Sequence, residues 1–331
     1  MKISFPVFSP LVEANYVRKQ QYLLSAYKLT VEDKAEIRKL AEDNRIDKRI
    51  IKSIAASIYG HENIKIAIAL AMHGKITVPQ TSEENWIVGC LYSRKRFFCC
   101  WACRALVLAD KGICLIDEFD NMNDRDRASI HEAMEQHSIS ISKAGIVTSL
   151  KARCSVIAAA NPIGGRYDSL QTFSQNVNLT DPFISRFDIL CVLKDIAVPV
   201  TDEMLALFIV DNHYKSQPTG AKLDESISNS QDEVSASAHP EIIPQDLLKY
   251  ITYSKLNVFP KLLEAHQEKL MNVYDELRDL SSPYNGNSIV TRHLESMIRM
   301  SEAHARMHLG NHVSEEDVDV AIRVLYMGMF V

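Results

Sequence analysis

The chain has 331 residues, enough to bury a sizeable core and to form about two domains. Hydrophobic residues make up 47% and charged residues 24%, and the net charge of −5 provides no global attraction to nucleic acid, so any such contact needs a local basic patch. No apolar run approaches the roughly 18 residues of a membrane span, and Met1–Ser9 lacks the basic flank and long apolar core of a secretory leader, so a soluble, intracellular protein is expected.

In chain order, Ile3–Phe8 is strand-like and leads into Leu11–Val17. Residues 30–75 read as helices. Thr30 offers an N-cap with Asp33 three positions on. Ile50, Ile51 and Ile54, then Ile64, Ile66, Ile68 and Leu70, supply apolar faces at helical spacing. Between the two sets, Ser57-Ile58-Tyr59-Gly60-His61 interrupts the pattern at a glycine, as a helix–turn–helix corner does.

Residues 76–104 differ in composition from everything around them: both tryptophans and four of the seven cysteines, Cys90, Cys99, Cys100 and Cys103, fall there. The Cys100-x-x-Cys103 pair lacks a second pair at a recognisable spacing, so zinc is not expected. Trp86–Tyr92 carries Ile87, Val88 and Leu91 and could fill a strand slot. Arg94-Lys95-Arg96 reads either as a phosphate or DNA patch or as a solvated tract. Cys114, Cys154 and Cys191 sit singly in apolar strand-like runs and read as buried thiols.

The most informative stretch is Lys111–Asp120. The apolar run Ile113–Ile116 reads as a buried strand of a parallel sheet and ends in two adjacent carboxylates. At the carboxyl end of such a strand, where open α/β sheets gather their chemistry, Asp117 can hold Mg²⁺ through its water shell and Glu118 can polarise an attacking water. An edge strand running into an acidic solvated turn is the alternative.

Asn123-Asp124-Arg125-Asp126 then begins a helix capped by Asn or Asp, whose apolar face carries Ile130, Ala133 and Met134. Ser138–Ser142 alternates at strand period, and Lys143-Ala144-Gly145-Ile146 reads as a hairpin tip with a lysine beside it. Val156–Ala160 is a second buried strand, stopped by Pro162 so that the Asn161 amide lies at the sheet's carboxyl edge. Pro182 suits the first turn of a short helix before Ser185-Arg186-Phe187-Asp188. Arg186 is either a charge directed at a neighbouring molecule or the partner of Asp181 or Asp188. Residues 211–243, rich in Ser, Asp and Glu, read as a disordered linker. Gln245–Ser254, Lys261–Leu280, Val290–Leu309 and Ser314–Tyr326 read as helices of an all-α domain, the last with an acidic start at Ser314-Glu315-Glu316-Asp317.

Ile58–Glu62, the acidic pair, Asn161 and the Ser185–Asp188 turn together resemble the minichromosome maintenance (MCM) replicative helicases, which are AAA+ ATPases. The resemblance covers residues 1–75 and 105–326. It implies a three-layer α/β AAA+ core over residues 30–210, preceded at 1–29 by the end of an oligonucleotide-binding region and its linker, and followed at 244–331 by a helical lid. It implies ATP and Mg²⁺ as cofactors, other MCM subunits of a hetero-hexameric ring as partners, single- and double-stranded DNA as the track, no membrane, and a nuclear location. Carried over residue by residue, Ile58, Tyr59, Gly60 and His61 would form the adenine-side wall. Asp117 would hold Mg²⁺ through water, Glu118 would polarise the attacking water, and Asn161 would be the first sensor. Arg186 would be an arginine finger and Arg292 a second sensor, both serving an adjacent site, while Lys143 would contact DNA from the hairpin tip.

One departure is decisive. A nucleotide-hydrolysing core needs G-x-x-x-x-G-K-[ST] or a close variant to cradle the phosphates, and none lies upstream of Asp117. Codons compatible with Glu84–Ala102, read one nucleotide later, can spell K-T-G-S-W-A-V-Y-T-V-E-K-G-S-S-A-V-G, which resembles the family's segment following that loop. Residues 84–104 are therefore expected to be translated out of frame, with the phosphate loop missing just before them. In that fold the strand before the loop lies between the sensor strand and the last strand. Ile189–Leu193, the expected last strand, should then lose its neighbour and leave backbone groups unpaired.

Overall fold

The computed structural model describes residues 29–43, 45–74, 90–91, 101–143, 146–165, 167–168, 171, 173–177, 179, 181–194, 197–216, 244–280 and 291–329. The expected strand Ile3–Phe8, the arginine–lysine tract Arg94–Arg96, Ala144 and Gly145 of the hairpin tip and residues 217–243 of the expected linker lie outside them.

Helix α1 (Val31–Ala41) begins as its sequence prescribes. The Thr30 hydroxyl accepts from the Asp33 N–H at 3.2 Å, and the Asp33 carboxylate accepts in return from the Thr30 N–H at 2.9 Å. Helices α2 (Ile46–Ser53) and α3 (Glu62–His73) follow. A two-residue strand β1 (Cys90–Leu91), inside the aberrant stretch, precedes helix α4 (Trp101–Leu108). Strand β2 (Ile113–Ile116) carries the acidic pair at its end, and α5 (Asp124–Gln136) follows with Asn123 at its N-cap position. The hairpin β3 (Ser138–Lys143) and β4 (Ile146–Lys151) is antiparallel, pairing Ser138 with Lys151 at its base and Lys143 with Ile146 at its tip. Strand β5 (Ser155–Ala158), two single-turn helices α6 (Phe173–Asn176) and α7 (Asp181–Ile184), and the long helix α8 (Pro199–Ser216) complete this half. Pro182 does occupy the first turn of α7. Helix α8 reaches six residues into the stretch read as linker. Four helices close the described chain: α9 (Pro244–Asn257), α10 (Glu264–Leu280), α11 (Thr291–Met307) and α12 (Glu315–Met329).

The central sheet is parallel, in the order β1–β2–β5, with Cys90 opposite Cys114 and Ile116 opposite Ala158. Beneath it Leu106 of α4 and Ile130 and Ala133 of α5 pack on Cys114, Ile116 and Phe119, together with Ile139 and Phe183. This is an α/β core followed by a helical lid.

The strands differ from the fully buried ones expected. On β2, Cys114 and Ile116 point inward while Leu115 is 38% exposed, and β5 is a residue or two shorter than expected and only half-buried along its length. The physical reason lies at the other sheet face and edge. Among the described residues no strand pairs with the outer edge of β5, and Ile189–Leu193 is not a strand. Cys191 within it is exposed, contrary to the buried thiol expected, whereas Cys114 is buried and Cys154 half-buried. Burial pushes the Cys154 thiol up to about 12.

A second core joins α1–α3 to the lid. Ile37, Ile46, Ile50, Ala69 and Leu70 pack with Tyr250, Leu270, Leu277, Met297, Met307 and Val324. Charged groups are sealed within it. Arg306, 2% exposed, donates through Nη1 to the His73 carbonyl and through Nε to that of Val258 at 3.2 Å. The Tyr250 hydroxyl donates to the Met307 carbonyl at 2.5 Å. His304 meets Asp317 at 2.6 Å, and Asp317 also closes a capping box with Ser314 at the start of α12, where the acidic helix start was expected.

Candidate functional site

The acidic pair sits at the carboxyl end of β2, as the apolar run dictates. Ladder geometry continues one residue beyond the strands: the Ala159 N–H donates to the Ile116 carbonyl at 2.8 Å, and the Phe119 N–H to the Ala159 carbonyl at 2.9 Å. Between these bonds the chain turns sharply. Glu118 has φ +51°, the left-handed region that a non-glycine residue adopts only when its neighbours hold it there, and Asp117 Oδ1 accepts its N–H at 2.9 Å. Phe119 supplies that hold. It is 1% exposed and lies 5.1 Å from the Phe183 ring and 6.1 Å from the Phe187 ring. Asp117 and Glu118 are thereby presented to solvent while the next side chain anchors them.

Asn161 lies exposed just past β5, one strand over from the acidic pair. Its backbone N–H donates to Asp120 Oδ1 at 3.2 Å, a tie between the two strand ends that the sequence reading missed. The only local signal was a third carboxylate three residues after Asp117.

The turn Ile58–His61 links α2 and α3. Gly60 at φ +70° and His61 at φ +53° make it, and Lys65 Nζ holds it by donating to the Ile58 carbonyl at 2.8 Å and the Ala55 carbonyl at 3.2 Å. Tyr59 leans on α8, its ring 5.3 Å from Phe208 and its hydroxyl 3.7 Å from Met204 Sδ. Ile58 is half-exposed.

The two arginines singled out in the sequence converge. Arg186 Nη2 donates to Glu135 Oε2 at 2.7 Å, and Arg292 Nη2 lies 3.7 Å from Glu135 Oε1. Among the described residues, Asp188 does not take the Arg186 charge. Asp188 instead accepts from Arg299 at 2.7 Å and from Ser296 at 2.6 Å. Arg186 is 10% exposed, and its Nε and Nη1 are buried without a hydrogen-bond partner among the described residues. To meet an anion outside the chain, the guanidinium would have to leave Glu135 and swing outward, since its free donors are shielded as it stands. Glu135 is the residue sequence reasoning did not find. It lies at the end of α5, 51 residues from Arg186 and far from Arg292, and no local pattern marks it.

Lys143 is the last residue of β3, one step from the hairpin tip, on backbone placement alone.

The described residues do not by themselves make a site for a magnesium nucleotide. Among the described residues no cluster of three or more His, Cys, Asp or Glu could hold a metal ion, and no sequence upstream of Asp117 can cradle phosphates. Asp117 is one carboxylate, with one oxygen already engaged by the adjacent amide.

Comparison with known proteins accounts for this partial site. The MCM P-loop domain matches residues 33–90 and 93–213, and the MCM AAA-lid domain matches 245–329. The chain belongs to the MCM family. It is 57% identical to the DNA replication licensing factor MCM2 of Oryza sativa subsp. japonica over 98% of the chain and 39% of that protein. With the Xenopus tropicalis mcm2 it is 47% identical over 97% of the chain and 41% of that protein. The minichromosome maintenance protein MCM of Saccharolobus solfataricus is 36% identical over 96% of the chain and 50% of its own length. The chain thus spans about two fifths of the MCM2 relatives it matches. The alignment with the rice protein runs over 372 residues, more than the 331 of the whole chain, so this MCM chain lacks residues that the relative carries inside the matched region.

Proposed function

We propose that the chain is the motor segment of an MCM replicative helicase subunit, of the kind that occupies position two of the eukaryotic heterohexamer. Such a ring couples ATP hydrolysis to DNA unwinding during replication, in the nucleus. Within it this chain works in trans. Arg186, as an arginine finger, and Arg292, as a second sensor, complete the site of a neighbouring subunit, and Lys143 meets the DNA phosphates from its hairpin. A magnesium nucleotide bound by that neighbour supplies the reactive phosphate. This chain contributes buried positive charge and excludes water around it.

Its own half of a site, with the Ile58–His61 wall, Asp117 for Mg²⁺, Glu118 for the water and Asn161 as sensor, lacks the phosphate loop and turns over no ATP. The missing loop is the simplest account of the extra residues in the relatives' alignment; the MCM P-loop match itself runs through residues 84–90 and 93–104, so the out-of-frame reading of 84–104 rests on the codon argument alone. The observation that carries the proposal is the convergence of Arg186 and Arg292 on one carboxylate, Glu135, which brings the two arginines to one place between core and lid.

The test is reconstitution with MCM subunits whose phosphate loops are intact. ATP turnover by the mixture should exceed that of the partners alone and fall on R186A. The isolated chain should show no turnover, and turnover abolished by E118Q would overturn the assignment of an inactive cis site. Absence of the chain from any ring would overturn the proposal as a whole. Sequencing the transcript across the codons for residues 70–110 separates a faulty reading frame from a real deletion.

A further inference from the structure

Arg186 lies in a turn that no strand supports, since Ile189–Leu193 is irregular. A group required to meet a phosphate in another subunit must nevertheless be placed closely. A misplacement of about 1 Å costs on the order of a hundredfold in rate.

Helix α11 from the lid supplies the placement. Arg292, Ser296 and Arg299 lie at i, i+4 and i+7, on one face of the helix, and that face meets the core. Asp188, two residues after Arg186, receives both later members. Ser296 Oγ is 2.6 Å from Asp188 Oδ1, and Arg299 Nη2 is 2.7 Å from the same oxygen. Arg299 Nη2 also donates to Ser296 Oγ at 3.1 Å. Ser296 Oγ lies 2.9 Å from the carbonyl of Arg292 itself. Its hydroxyl is thus the node joining the backbone of one candidate arginine to the turn that bears the other. On the opposite side of the turn, Phe187 packs at 5.9 Å on Phe183 and at 6.1 Å on Phe119.

We propose that Asp188, Ser296 and Arg299 form a core–lid latch that positions Arg186 and Arg292 relative to each other, and that they are positioning residues for the neighbour's reaction. The inference rests on the reading of Arg186 as a donor to that neighbour. The Asp188–Arg299 pair is 46% and 40% exposed at its two side chains, so it adds little to stability. What it fixes is direction. Ser296, 2% exposed, makes the node insensitive to solvent.

The experiment uses the whole chain mixed in turn with each MCM subunit that has an intact phosphate loop, retaining the one whose ATP turnover the chain raises. If R186A has no effect in any pairing, the trans reading itself fails. With an R186A-sensitive pair in hand, R299A and S296A are expected to lower kcat about ten- to a hundredfold while the KM for ATP stays within about twofold. The melting temperature of the chain should barely move. The charge-swapped double variant D188R/R299D should recover part of the loss, which a general packing defect would not allow. Unchanged kcat in R299A and S296A, or losses of kcat that track loss of folded protein or of pairing, would overturn the latch.

Discussion

The convergence of two arginines on Glu135 makes a quantitative prediction about E135A. Arg186 Nη2 is 2.7 Å from Glu135 Oε2 and its side chain is 10% exposed, whereas Glu135 is 42% exposed. A hydrogen bond to a charged group contributes about 1.5–3 kcal/mol when buried, and the exposure of Glu135 screens part of it, leaving about 1–2 kcal/mol. Because Nε and Nη1 of Arg186 have no partner, removing Glu135 strips the buried guanidinium of its one described acceptor. The Arg292 contact is 3.7 Å between side chains each 42% exposed, which limits it to at most ~0.5 kcal/mol. The assay is a pair of double-mutant cycles read from urea midpoints: E135A with R186A, and E135A with R292A. A coupling of about 1–2 kcal/mol is expected in the first and near zero in the second. Equal couplings, or none with Arg186, would refute the inference that Glu135 holds Arg186 as its principal partner.

Three further predictions concern the second core and the lid. Burial pushes the Lys255 ammonium down to about 8 from 10.5, so its penalty is full below pH 8 and lifts as pH rises toward 10.5; K255M should stabilise the chain at pH 7 by up to about 3 kcal/mol, a gain that chemical denaturation at pH 10.5 should find gone. His73, wholly buried, is pushed down to about 4 from 6.5, so stability should be lost as pH falls from 6.5 to 4, and H73Q should flatten that part of the pH profile. At Gly328 an added Cβ would lie 2.9 Å from the Leu190 carbonyl oxygen and 3.1 Å from its nitrogen; G328A should therefore destabilise by about 1–3 kcal/mol in thermal melts although alanine is the better helix former.

Local features were legible because local chemistry sets them. The Thr30–Asp33 and Ser314–Asp317 boxes, the Pro182 helix start, the Ser138–Ile146 hairpin and the strand ending at Asp117 each follow from residues a few positions apart. The partner of Arg186 was not legible. Asp181 and Asp188 were the nearby carboxylates, yet a four-residue helix followed by a tight turn directs the side chain toward α5, and sequence proximity says nothing of that. Cys191 failed for a similar reason. An apolar run reads as a buried strand only if a neighbouring strand exists to pair with it, and pairing is a property of the whole sheet. The apolar surface of α8 was equally hidden, because Val200, Leu205 and Val210 are exposed around a helix with no single outward face.

On the proposed reading, a missing phosphate loop would disable the chain's own site and leave the elements assigned to a neighbour's site in place, and the contact pattern supports that difference. Along β5 the ladder bonds run toward β2, from the Ser155 N–H to Gly112 and from the Ala159 N–H to Ile116. In a parallel ladder the intervening amides of Val156 and Ala158 face the other edge, where no described strand meets them. On the proposed reading a phosphate loop would spring from that edge, and among the described residues nothing stands in for its backbone donors. Arg186, by contrast, takes its position from side chains: Phe187 on Phe119 and Phe183 within the α/β core, Asp188 on Ser296 and Arg299 of the lid, and its own guanidinium on Glu135. None of these contacts passes through the sheet's open edge. If the proposed roles hold, a ring containing this chain would lose one hydrolysis centre rather than two.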